Sequence, residues 1–142
     1  MNWVAITADD FVDEGFTPTE RTAVSDAAGA DKVQDVLDSA IAEWRGVIDA
    51  GGFDVDAATN KIPPSCRRHI IAQARWQLLM KLSALKQLQT EERRRTADSA
   101  EEVLRDIAAG ERSIEDPDET ATDTPHGGTW KSKKKIKMRL DT

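Results

Sequence analysis

IPPSCRRHIIAQARWQLLMKL occupies residues 62–82 and carries the strongest helical signal in the chain. Pro63 and Pro64 lack backbone donors and fix φ, so neither a strand nor a helix can run through them, and FDVDAATNKIPP at 53–64 reads as a loop. From Ser65 to about Thr90 there is no Gly or Pro, and Ile70, Ile71, Ala74, Leu78, Leu79, Leu82, Leu85 and Leu88 mark a buried face. Trp76 and Met80 widen that face, which predicts a long central helix enclosed on most sides through its middle.

Upstream, Val33, Val36, Leu37, Ala40, Ile41, Trp44, Val47 and Ile48 recur at spacings of three and four, drawing one stripe along a second helix that Gly51 and Gly52 end. Its opposite face holds Asp35, Asp38, Glu43 and Asp49, so this helix is expected half-buried and acidic outside. TPTE at 17–20 is a helix start, with Thr17 as cap, Pro18 at the first helical position and Glu20 completing a capping box; Gly29 is expected to stop that helix near Ala28. MNWVAITADDFVDEGF at 1–16 mixes Trp3, Val4, Ile6, Phe11, Val12 and Phe16 with acids without a long period, and reads as a mobile arm packed on the body.

Downstream, TEERRRTAD at 90–98 is either a solvated continuation of the long helix or a break before a new start at Asp98 or Ser99. Val103, Leu104, Ile107 and Ala108 give a last short helix, closed by Gly110. ERSIEDPDETATDTPH at 111–126 has the composition of a linker. The fold class is therefore all-α, a small bundle of about four helices with one long central helix. Its parts are an N-terminal arm (1–16), a helical domain (17–110), an acidic linker (111–128) and a basic C-terminal arm (129–142). The expected core is Val33, Leu37, Ile41, Trp44, Ile48, Ile71, Ala74, Leu78, Leu82, Leu85, Leu104 and Ile107.

Composition narrows the function. The single cysteine, Cys66, leaves no intramolecular disulfide framework, and no apolar run approaches the roughly 18 to 20 residues of a membrane helix, so no membrane role is expected. The acidic start differs from a secretory signal, and no targeting segment is expected. The formal net charge of -6 is unevenly placed: residues 131–142 sum to +5, leaving -11 on residues 1–130. So acidic a body is a poor duplex binder, because cations neutralising phosphates supply most of that affinity.

Chemical motifs are weak. Asp54, Asp56, Ala58, Thr59 and Asn60 suggest a calcium loop, but Ala58, Thr59 and Ser65 stand where an EF-hand needs an oxygen ligand, Gly and Glu, so a turn with solvated carboxylates is expected. Cys66 and His69 share a helix face, yet two ligands do not make a zinc site and His126, the other histidine, lies in the linker. His69 is the one credible base, with no nucleophile elbow nearby; no phosphate-binding glycine motif occurs, and neither enzyme activity, metal nor cofactor is expected. Arg67, Arg68, Arg75, Arg93, Arg94 and Arg95 read as solvated or paired with acids such as Glu91 and Glu92, and the loop before Pro63 is a poor match to a helix-turn-helix.

Taken together, VQDVLDSAIAEWRGVI, IPPSCRRHIIAQARWQLLMKL and EEVLRDIAAGERSI resemble the head-tail connector proteins of tailed phages and prophages, also called head-completion or adaptor proteins. The likeness covers about residues 17–114 and lies in the order and texture of elements: an acidic helix, a loop to a Pro-Pro start, a long helix, and a short helix ending LRDIAAG. It implies a virion protein of the neck, assembled in the host cytoplasm as a homo-oligomeric ring, commonly twelvefold, beneath the portal. Such a ring extends the DNA channel and gives a platform to the next neck or tail protein. DNA would pass through without sequence-specific binding, and no catalysis is implied. Residues 1–16 and 115–142 lie outside the likeness.

GGTWKSKKKIKMRLDT, residues 127–142, alternates. Trp130, Ser132, Lys134, Ile136, Met138 and Leu140 fall on one side, and Lys131, Lys133, Lys135, Lys137, Arg139 and Asp141 on the other, the period of a β-strand behind a Gly127-Gly128 hinge. A lone strand leaves its backbone groups unpaired, so strand addition onto the portal or a neighbouring subunit is expected, anchored by Trp130, Ile136, Met138 and Leu140. The bland alternative is a disordered solubilising tail on a helical interaction domain. The sharper one is a DNA-binding packaging or regulatory factor that uses the basic tail.

Overall fold

The computed structural model describes residues 2–117. They form an all-α bundle with one minimal antiparallel ribbon. In chain order the elements are β1 (Val4–Ala5), α1 (Ala8–Gly15), α2 (Pro18–Ala50), β2 (Lys61–Ile62), α3 (Arg67–Lys81) and α4 (Glu91–Ala108), with 3₁₀ turns at Pro64–Cys66 and Ser83–Leu88. In the ribbon Val4 faces Ile62 and Ala5 faces Lys61.

The amino-terminal segment is more structured than its pattern suggests. Thr7 caps α1 in a capping box with Asp10, a T-x-x-D signal that the sequence reading passed over. Trp3, Ile6, Phe11 and Phe16 are buried, and the rings of Phe11 and Phe16 meet edge to face at 6.3 Å. Glu14 binds Arg67 through both carboxylate oxygens, and Arg75 donates to the Gly15 carbonyl, so α1 is tied to α3. These residues belong to the core rather than to a mobile arm.

In α2 the Thr17 hydroxyl accepts from the Glu20 amide and Glu20 accepts from the Thr17 amide at 3.0 Å, the capping box expected of TPTE. The expected stop at Gly29 is a kink: Gly29 has φ 74° and ψ 163°, and the helix resumes at once. Beyond it, Val33, Val36, Leu37, Ala40, Ile41, Trp44 and Ile48 are buried, while Asp35, Asp38, Glu43 and Asp49 are exposed.

The expected long helix over 65–90 is corrected. Regular α-helix ends at Lys81, Leu82 takes an extended conformation (φ −116°, ψ 108°), and Ser83–Leu88 winds as 3₁₀. The reason lies in the spacing: Leu82, Leu85 and Leu88 recur every three residues, which suits three residues per turn and would drift around an α-helix. Gln89 donates to the Leu79 carbonyl that the break leaves free, at 2.9 Å. Leu85 is buried, but Leu82, placed in the expected core, is half-buried at its edge. Met80, expected to widen the buried face, is 59% exposed, and Trp76 is half-buried.

TEERRRTAD is neither a continuation nor a break before Asp98. Thr90 caps the helix by accepting from the Arg93 amide at 3.2 Å, and the polar run is the first half of α4. The other expected core residues are buried, from Val33 to Ile107, with α3 packed between α2 and α4. After α4 the described part of the acidic segment turns back onto the body. The Glu115 carbonyl accepts from the Trp3 indole at 2.8 Å, its carboxylate accepts from the Ser65 hydroxyl at 2.8 Å, and Pro117 is buried.

Candidate functional site

Arg68 and His69 enter α3 just after the Pro-Pro turn, and the packing of α4 across α3 leaves open space on both sides of them. One crevice, about 440 Å³, lies against Glu91, Glu92, Arg95 and Thr96 of α4. The other, about 490 Å³, lies against Cys66, Val103, Glu111 and Arg112. His69 is the hub: its ring stacks on Trp44 of α2, with centroids 6.3 Å apart and planes 3° from parallel. The fully buried Trp44 donates its indole N–H to Gln73, one turn further along α3.

Burial dominates the electrostatics of this hub. Burial, followed by the charges of Arg68 and Arg112, pushes the His69 pKa below the usual imidazole range, so the neutral ring prevails at pH 7. Burial pushes Cys66 up to about 12, so it stays a thiol, neither nucleophile nor ready metal ligand. Among the described residues no cluster of three or more His, Cys, Asp or Glu side chains could hold a metal ion. Arg68 lines both crevices, with Glu91, Glu92 and Arg95 around the first and Glu111 and Arg112 around the second, and Arg95 pairs with Glu91 along α4.

The calcium-like loop is anchored by one buried residue. Asp56 is 1% exposed, against the solvated carboxylates expected of this turn. One of its oxygens accepts from the Ala58 amide at 2.8 Å, the geometry of an Asx turn. Arg45 reaches from α2 and donates to the carbonyls of Asp56 and Lys61, each at 2.7 Å, while its guanidinium lies 5.7 Å from the centre of the Trp3 ring. Burial lowers the Arg45 pKa, with the Asp56 charge working the other way. Sequence reasoning gave Asp56 a solvated role and missed Arg45, which sits between stripe positions and looks like any solvent-facing helix residue.

The arginines expected to be solvated or paired are for the most part engaged. Arg93 binds Glu20 at 2.6 Å, donates to the Leu88 carbonyl and lies 5.5 Å from the Phe16 ring centre, which joins α4 to the start of α2. That hydrogen bond holds the Glu20 pKa below the carboxylate range. Arg94 and Arg95 both pair with Glu91. Of the residues expected to dock a partner, Trp130, Lys131, Lys133, Lys135, Ile136, Lys137, Met138, Arg139 and Leu140 all lie outside the described residues.

No family model, curated protein or solved structure matches the chain.

Proposed function

We propose that this chain is a structural adaptor of the phage head-tail connection, a helical subunit that assembles in a ring under the portal, extends the DNA channel and carries the next neck or tail protein. One observation carries the reading. The stretches on which the resemblance rests, 33–48, 62–82 and 101–114, pack on one another as a single core, with Trp44 on His69 and Gln73, and α4 along α3. The exposed acids of α2 agree with it, since an acidic wall lets DNA slide past rather than stick.

In this reading residues 129–142 add as a strand to the portal or to a neighbouring subunit. Deleting them should leave the circular-dichroism spectrum and melting of the body unchanged while abolishing co-sedimentation with the portal. A truncated chain that docks normally removes that role from the tail. A full chain that stays monomeric with and without portal overturns the adaptor reading. The six cations in residues 131–139 keep one competitor in view: duplex binding with a steep log-log salt slope favours a DNA-binding factor.

A further inference from the structure

The kink in α2 opens a notch. A cavity of about 210 Å³ lies where α1 passes the break, walled by Ala8 and Val12 of α1 and by Val24, Gly29, Ala30 and Val33 of α2. A Cβ built on Gly29 would meet nothing within 4 Å, so the floor is open to whatever enters. Asp9, Asp13, Arg21 and Ser25 form the rim; Arg21 is spent on Asp13, at 3.7 Å and through its carbonyl, which leaves the rim with an acidic balance. At the far end of α3, Met80 is the one large apolar side chain exposed among the described residues, followed directly by the exposed Lys81. Met80 does not line the notch of its own chain.

We infer that Met80 of one copy seats in the Gly29 notch of the next, with Lys81 against the acidic rim. Shape and charge select this occupant. A thioether side chain is long, unbranched and adaptable enough for an irregular apolar slot, and the neighbouring ammonium meets Asp9. Knob and hole are different patches of the same chain, so the contact is head-to-tail, the kind that closes rings when the rotation permits. This interface names how copies meet in the proposed assembly and rests on that reading.

The experiment uses the full chain. Under mild oxidation a mixture of Met80→Cys and Ser25→Cys variants should form a disulfide between the two, while either alone forms little; Cys66, 1% exposed, does not compete. In sedimentation, Met80→Lys and Ser25→Trp should each weaken self-association on the order of tenfold to a hundredfold, with unchanged circular dichroism. Absence of the mixed disulfide overturns the proposal, as does equal crosslinking of Met80→Cys with itself or a full chain that stays monomeric at every concentration. Crosslinking of Ser25→Cys to Trp130→Cys within one chain would put the tail in the notch instead. Loss of portal docking with the crosslink intact counts against the adaptor reading alone, and the reverse counts against this interface alone.

Discussion

The hydrogen bond between Trp44 and Gln73 can be weighed by a double-mutant cycle. Both residues are buried, at 0% and 5% exposure, and each side chain is the other's partner between α2 and α3. Trp44→Phe keeps an aromatic ring against His69 but removes the donor, so the Gln73 amide is left buried and unsatisfied. That should cost about 1–3 kcal/mol for the amide, plus a share of the packing lost with the smaller ring. Gln73→Met leaves the indole N–H stranded in the same way, at about 1–2 kcal/mol. The double variant has no stranded group, so it should be more stable than the sum of the singles by about 1–2 kcal/mol. Urea unfolding followed by circular dichroism at constant m-value reads the four corners, without relying on tryptophan fluorescence. Strict additivity, or a Trp44→Phe variant as stable as the parent, would refute the claim that this pair, rather than apolar contact alone, joins the two helices.

Three further outcomes follow from the same structure. Gly29→Ala should lower stability by about 1–3 kcal/mol in thermal unfolding, through backbone strain alone, because φ 74° with ψ 163° is nearly closed to residues bearing a Cβ and nothing crowds the new methyl. Arg45→Met should cost about 2–4 kcal/mol and speed amide exchange in residues 54–62, since it removes two charge-assisted hydrogen bonds, to the carbonyls of Asp56 and Lys61, and takes the nearby cation from the Asp56 carboxylate. Acidification should act through His69: its folded pKa lies below the unfolded value of 6.5, so the unfolded chain takes the proton first, and this contribution is complete above that value and declines as pH falls below it. Replacing His69 with Gln should flatten the slope of stability as pH falls below about 6.5, before Glu20, whose pKa is lowered by Arg93, begins its own loss at more acid pH.

Much of the architecture is written in local pattern. The stripe from Val33 to Ile48 and the TPTE capping box specify their helix and its buried face, because periodicity and caps act within a few residues of the chain. Gly29 marks an interruption for the same reason, although its pattern reads as a stop and the helix resumes beyond it as a kink. The sequence also shows what α2 keeps outside, since Asp35, Asp38, Glu43 and Asp49 all fall away from that stripe and are exposed.

Other features depend on partners far along the chain. No window around Trp3 announces that its indole meets Glu115, and nothing near Asp56 announces that Arg45 reaches its loop. The break at Leu82 was written in the three-residue spacing of its leucines, but only the return of α4 against α3, with Gln89 binding the freed Leu79 carbonyl, makes the 3₁₀ turn preferable to a continued helix. Met80 belongs to the same class: its spacing assigns it to a buried face, and only the tertiary structure leaves it exposed. Pattern fixes which residues prefer shelter, whereas the number of neighbours available to shelter them is a property of the folded body.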